Sequence, residues 1–173
     1  FNFNKFHFVL NHQAELIKSY FINNYKNLKI NFIKEAKPLG TAGGIYFIDK
    51  KTSSNDLLIA NCDTLFKVDY VKFFNFHKNS NNILTLAVSN MQHIFPYGFC
   101  KVNSRKLVSI KEKPKLSFIA NTGLYFANKK ITKLIPKNKR FEMTDLIKKC
   151  LSTGKKIGIY EIPESSWTDL GHL

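Results

Sequence analysis

Three cysteines in 173 residues, none in a C-x-x-C pair, disfavour a disulfide framework and a thiolate zinc site, and they fit a reducing compartment. The five histidines (His7, His12, His77, His93 and His172) show none of the spacings that ligate zinc. No apolar run approaches the ~18 residues that span a bilayer and no signal peptide is visible, so nothing read here takes the chain out of the cytosol. A G-x-S-x-G elbow, a P-loop and the G-x-G-x-x-G fingerprint are absent too. Acidic residues are scarce, 12 against 27 basic ones, for a formal net charge of +15. The lysines are spread along the chain rather than gathered in a block of five or six. That pattern reads as solvated faces more than as a nucleic-acid-binding tail. A positive field still favours an anionic substrate such as a nucleotide.

What the chain does have is core. Hydrophobic residues make up 44% and aromatics 14%, which argues against disorder. A chain this long buries about 70% of its unfolded surface as one domain, so residues 1–173 read as a single domain. It opens on Phe1 in mid-pattern and so reads as a fragment of a longer protein.

Hydrophobic periodicity orders the elements. "KFHFVLN" (5–11) reads as a strand and "QAELIKSYF" as a helix with Ala14, Ile17, Tyr20 and Phe21 inward. "LKINFI" (28–33) alternates as a strand, and "TAGGIYFID" opens a short helix. Residues 57–60 form an apolar run expected to be buried on both faces. Asp69 is a plausible N-cap for "DYVKFFNFHKNS", with Val71, Phe74 and Phe76 or His77 inward. "ILTLAVS" (83–89) completes a β-α-β-α-β-α-β order, the signature of a layered sheet with crossover helices. "YGFCKVN", "KLVSIKEK" and "IANTGLYFA" then read as antiparallel additions. "MTDLIKKCLSTG" reads as a helix with Thr144 as candidate N-cap and Gly154 as stop. "KIGIYEI" makes a last strand.

Several groups could carry chemistry. In "LLIANCDTLF" an apolar strand stops at Asn61-Cys62-Asp63, and ligands of open α/β sheets bind where strands end. Asp63 is a metal or substrate group, or else an Asx-turn former. Asp169 in "SWTDLG" carries the same two readings. If the fold brings both to one sheet edge, they form the one-or-two-carboxylate arrangement that Mg²⁺ uses. "KPLGTAGG" (37–44) leaves backbone bare for a base or phosphate, or serves tight helix packing. In "IKEKP", Glu112 can accept from sugar hydroxyls and Lys113 can meet a phosphate, or both sit on a solvated strand end. Asn121 and Gly123 in "ANTGLYF", like Gly98 in "PYGFC", mark a bulge or a ligand close to the backbone. Trp167 and Phe95 read as core.

The order "KPLGTAGG", "NCDTLF", "PYGFC", "IKEKP", "ANTGLYF", "FEMTDLI", "WTDLG" resembles the sugar-nucleotide nucleotidyltransferases, the NDP-sugar pyrophosphorylases. It leans toward their mannose-1-phosphate guanylyltransferase-like branch, whose members often carry CBS domains. The resemblance implies an α/β fold: a three-layer α/β/α Rossmann-like nucleotide-diphospho-sugar transferase with a mixed sheet, here without its first βα unit. It implies that an NTP, with GTP favoured, and a sugar 1-phosphate give an NDP-sugar and pyrophosphate. Carried over by motif, Asp63 and Asp169 hold Mg²⁺. Leu39, Gly40, Thr41 and Ala42 lie against base and ribose. Glu112 binds sugar hydroxyls, Lys113 the sugar phosphate, and Gly98 with Asn121 line the sugar pocket. Glu142 is a further sugar contact or a helix cap.

Two departures stand out. Cys62 replaces the family's usual Gly before the metal Asp, and the Gly-rich, Arg-containing signature loop is expected upstream of Phe1. The chain alone is accordingly expected to be inactive. The partners expected are the NTP and the sugar 1-phosphate, with no nucleic acid and no membrane, and with homo-oligomerisation left open. A non-catalytic sugar-nucleotide-binding homologue and a basic nucleic-acid-binding domain are the competing readings.

Overall fold

The computed structural model describes residue 3 and residues 5–48 and 52–171. Asp49, which closes the helix expected from Thr41, and His172 lie outside them. In chain order the elements are β1 (Phe6–Leu10), α1 (Ala14–Asn24), β2 (Ile30–Lys34), α2 (Gly40–Gly43), β3 (Asp56–Ala60), β4 (Thr64–Phe66) and α3 (Tyr70–Asn79). Then come β5 (Leu84–Ile94), β6 (Phe99–Asn103), β7 (Lys106–Lys111), β8 (Lys115–Asn128), α4 (Met143–Ser152), β9 (Ile157–Glu161) and β10 (Trp167–Asp169).

The central sheet has four strands in the order β3-β8-β5-β9. β8 runs antiparallel to β3 and to β5, and β9 runs parallel to β5. β3, β5 and β9 therefore share one direction, and the sheet is mixed as expected. Side chains alternate across a strand, and β8 supplies both faces. Leu124 and Phe126 join a cluster with Phe73 of α3, while Tyr125 and Ala127 join a cluster with Leu146 and Cys150 of α4. Helix, sheet and helix give the three layers.

The β1–β2 pair is a parallel two-stranded ribbon, hydrogen-bonded apart from that sheet among the described residues. Its Ile33 and Val9 pack into the α4-side cluster. Beyond Val88 on β5 and before Asn121 on β8, the two strands continue as an arm in which Asn90 pairs with Ile119 and Ile94 with Lys115. The β6–β7 hairpin stands at the tip of that arm.

Several expectations need correction. In β3 only Leu57 is buried, and Ala60 is exposed, because β3 borders the four-stranded sheet. In α3 the buried residues are Phe73 and the expected His77, one turn apart, with Phe74 packed against the same cluster as expected. Phe73 sits 4.8 Å from both Phe126 and Tyr160, which rotates the helix and leaves Val71 and Phe76 outside. Asp69 does cap this helix, accepting from the N–H groups of Val71 and Lys72. Tyr20 of α1 is 54% exposed, while Phe21 packs inward as expected, 4.7 Å from Phe8. The N-cap of α4 is Glu142, not Thr144. Gly154 stops that helix at φ +64°, a conformation glycine adopts without strain. β4 and β10 pair antiparallel, Trp167 with Phe66 and Asp169 with Thr64. At three residues each they are too short to show a period.

Candidate active site

β3 ends at Ala60, opposite Leu124, and the Asn61 N–H donates to the Gly123 carbonyl at 3.0 Å. The chain then turns through Cys62 and Asp63 into β4. After β9 it crosses to β10, which pairs with β4 and sets Asp169 opposite Thr64. The Leu170 N–H closes the corner by donating to the Asp63 carbonyl at 2.8 Å. The two carboxylates meet at Gly171. A Cβ there would stand 3.2 Å from Asp169 Oδ1 and 3.3 Å from Asp63 Oδ2. Asp169 Oδ1 also accepts from the Gly171 N–H at 2.9 Å. The Asx-turn reading thus fits Asp169 locally, while the convergence of two like charges at one bare glycine goes beyond a turn. Two convergent carboxylates suit Mg²⁺, which keeps waters and phosphate oxygens in its remaining positions. Among the described residues no group of three or more His, Cys, Asp or Glu side chains forms an all-protein cage.

β3 ends at this corner, and β9 ends on the same edge of the sheet, where Val88 of β5 pairs with Glu161 and with Asn121 before β5 continues into the arm. This is the usual ligand edge of an open α/β sheet. Asn121 lies there on β8 beside the register shift between Leu86 and Val88. Its Nδ2 donates to the Tyr125 hydroxyl at 2.7 Å and its Oδ1 accepts from the Gly123 N–H at 3.4 Å. Burial pushes the Tyr125 hydroxyl's pKa up, the Asn121 bond opposing, so the phenol stays protonated. Gly123 has φ +83°, and the Asn61 carboxamide fills the space a Cβ would take. Tyr125 and Asn61 were not singled out in the sequence. Both sit beside residues that were, one β-period from Gly123 or at the end of the same strand.

Toward the tip of the arm, the Phe95 N–H donates to the Pro114 carbonyl at 3.0 Å, which sets "PYG" beside "EKP". A Cβ on Gly98 would stand 3.2 Å from Glu112 Oε2. Lys113 turns the chain at φ +42°. Gly98, Glu112 and Lys113 are one assembly.

The "KPLGTAGG" segment follows β2. The spaces left by Gly40 and Gly44 are not open: they face the Glu142 carboxylate in one case and Val9 with Glu35 Oε1 in the other. These glycines admit the protein's own side chains, which fits the tight-packing reading of the segment and not the open-backbone one. Glu35, another residue not singled out, is 9% exposed. Its Oε2 accepts from the Leu39 N–H at 3.2 Å. Burial raises its pKa above the usual carboxylate range, with the Leu39 bond opposing.

The comparisons with known proteins bear on this arrangement. A protein-family profile described as nucleotidyl transferase matches residues 2–173. The chain belongs to that family. It is 33% identical over 162 residues to a D-glycero-alpha-D-manno-heptose 1-phosphate guanylyltransferase of Aneurinibacillus thermoaerophilus, covering 92% of this chain and 70% of that protein. It is 28% identical to a putative mannose-1-phosphate guanyltransferase of Sulfolobus acidocaldarius, covering 94% of this chain and 43% of the relative. The chain thus spans less than half of some relatives. Among solved structures, HddC from Yersinia pseudotuberculosis superposes with a TM-score of 0.71 at 24% identity, over 97% of this chain and 73% of that one. A putative glucose-1-phosphate thymidylyltransferase from Bacillus anthracis gives 0.68 at 19%, over 95% and 70%. These likenesses support the Rossmann-like sugar-nucleotide transferase fold, and the relatives' names bear out the resemblance read from the motifs. No helix among the described residues is long and apolar enough to cross a membrane.

Proposed function

We propose that the protein carrying this chain transfers a nucleoside monophosphate from an NTP to a sugar 1-phosphate, releasing pyrophosphate and forming an NDP-sugar. The observation that carries the reading is the meeting of the Asp63 and Asp169 carboxylates at Gly171, across a wide gap in sequence. In this reading an oxygen of the sugar phosphate attacks the α-phosphorus in line, the α–β anhydride bond breaks, and pyrophosphate leaves with the electron pair. No covalent intermediate on the protein is needed, so positioning and electrostatics carry the rate.

Asp63 and Asp169 would hold Mg²⁺, which supplies charge neutralisation on the phosphate oxygens. The loop of Leu39, Gly40, Thr41 and Ala42 would lie against the base and ribose, its backbone N–H groups at Leu39, Thr41 and Ala42 held by Glu35, Glu142 and Phe141. Glu112 accepts from sugar hydroxyls, Lys113 meets the sugar phosphate, and Gly98 and Asn121 bound the sugar pocket. The net charge of +15 draws in two polyanionic substrates. GTP is favoured because relatives are named guanylyltransferases and the Yersinia HddC structure is also described as complexed with GMP-PN. A hexose or heptose 1-phosphate is the acceptor those names suggest.

The test is pyrophosphate release by the protein that carries this chain, with each NTP against a panel of sugar 1-phosphates and Mg²⁺. Turnover with GTP and at least one sugar 1-phosphate is expected. Tight sugar-nucleotide binding without turnover on any pair would favour the non-catalytic reading instead.

A further inference from the structure

We propose that Glu142 is a positioning residue that holds the nucleotide-facing loop in place, and that it is not a contact for the sugar. The inference rests on the reading of Leu39–Ala42 as the base and ribose platform. α2 is four residues long and cannot fix its own geometry. Its support comes from a segment about a hundred residues later. Glu142 Oε2 accepts from the Thr41 N–H at 2.9 Å and from the Thr41 hydroxyl at 3.1 Å. The Thr41 hydroxyl oxygen in turn accepts from the Met143 N–H at 2.8 Å. The Ala42 and Gly43 N–H groups both donate to the Phe141 carbonyl at 3.0 Å, and the Phe141 N–H donates to the Leu39 carbonyl at 2.8 Å.

The other carboxylate oxygen is engaged as well. Glu142 Oε1 accepts from Arg140 Nε at 2.9 Å. An ionised carboxylate offers about four lone-pair sites, and three are taken by Thr41 and Arg140, leaving little capacity for a sugar hydroxyl. The Thr41 backbone bond, then Arg140 and the Thr41 hydroxyl, hold the carboxyl below its usual range, so it is ionised at neutral pH. Gly40 completes the fit. At φ +77° it brings its Cα so close that a Cβ would stand 2.7 Å from Glu142 Oε1. The glycine is bare because the fastening carboxylate occupies the space beside it.

A fastener and a sugar ligand fail differently. Glu142→Gln replaces one acceptor oxygen with an amide N–H₂, which opposes a donor wherever it lies. The KM for the NTP is expected to rise about tenfold or more, with the KM for the sugar 1-phosphate within about twofold of wild type. Thr41→Val should raise the same KM, Thr41→Ser should recover most of that loss, and Glu142→Gln with Thr41→Val should be little worse than either alone, because both break one linkage. The Thr41 pair keeps the question decidable if Glu142→Gln folds poorly. A rise confined to the sugar 1-phosphate KM would overturn the proposal, as would unchanged kinetics or a loss of thermal stability alone. Failure of the wild-type protein to bind any NTP would instead sink the functional reading beneath it.

Discussion

β3 has a carboxylate near each end, and the fold treats the two in opposite ways. Asp56, at its start, is 13% exposed at the side chain and accepts from Lys78 Nζ at 2.9 Å. Its Oδ1 lies 3.7 Å from His77 Nε2. The His77 ring is hydrogen-bonded on its other side to the Thr85 hydroxyl at 2.7 Å, and that hydroxyl accepts from Asn82 Nδ2 at 3.1 Å. Asp63, beyond the strand's far end, is exposed and converges with a second carboxylate at Gly171. One end neutralises its acid within the protein. The other brings two carboxylates together at the rim of the sheet. On the proposed reading, structure and ligand binding are divided between the two ends of a single strand.

The division is broken most directly at the exposed end. Asp63→Asn or Asp169→Asn should lower turnover by at least about 100-fold, on the scale of losing a group that stabilises transition-state charge. Thermal stability should hold, because Asp63 is exposed and Asp169→Asn keeps an oxygen for the Gly171 N–H. Turnover retained alongside a large stability loss would make these two aspartates mere turn formers.

At the closed end the effects reverse. Asp56→Ala strands Lys78 and removes the acid facing His77, a loss of about 1–3 kcal/mol. For a domain of this size that lowers Tm by several degrees, about 2–4 °C per kcal/mol, while both substrate KM values stay as they were. A smaller effect comes from His77 itself. Burial holds its pKa below the ordinary histidine range, with Asp56 opposing and Lys78 reinforcing the burial. The unfolded chain therefore binds the proton first, and stability falls as pH drops through the ordinary histidine range toward the depressed value. Denaturant titrations from pH 7.5 to 5.5 should show that slope, and Asp56→Asn should steepen it.

The smallest effect belongs to Glu35. Its carboxyl is raised by burial, so the folded state retains the proton longer and stability falls as pH rises from the ordinary glutamate value to the raised one. Glu35→Gln removes that slope and keeps an oxygen for the Leu39 N–H. Stability at pH 7.5 should be equal to wild type or higher by about 1 kcal/mol or less.

The elements legible in the sequence were those whose burial follows a simple period. The apolar runs at 57–60 and 83–89 became β3 and β5, and Asp69 and Gly154 marked helix ends through local chemistry alone. What stayed hidden depended on partners far along the chain. The rotation of α3 is decided by Tyr160 and Phe126, which no periodicity within 70–79 encodes. β4 and β10 exist because they pair with each other. The glycines of "KPLGTAGG" pointed to a close approach, and only the fold shows that Glu142 and Glu35 make it. Asp63 and Asp169 were readable as strand-end acids, but their meeting needed the β4–β10 crossing.

A Mn²⁺ titration followed by electron paramagnetic resonance tests that meeting most directly, on wild type, Asp63→Asn and Asp169→Asn, each checked for folding by circular dichroism. The account predicts one bound equivalent in the wild type and at least about tenfold weaker binding in each variant, by loss of one of two carboxylate ligands. Equal Mn²⁺ binding by all three folded proteins would contradict it.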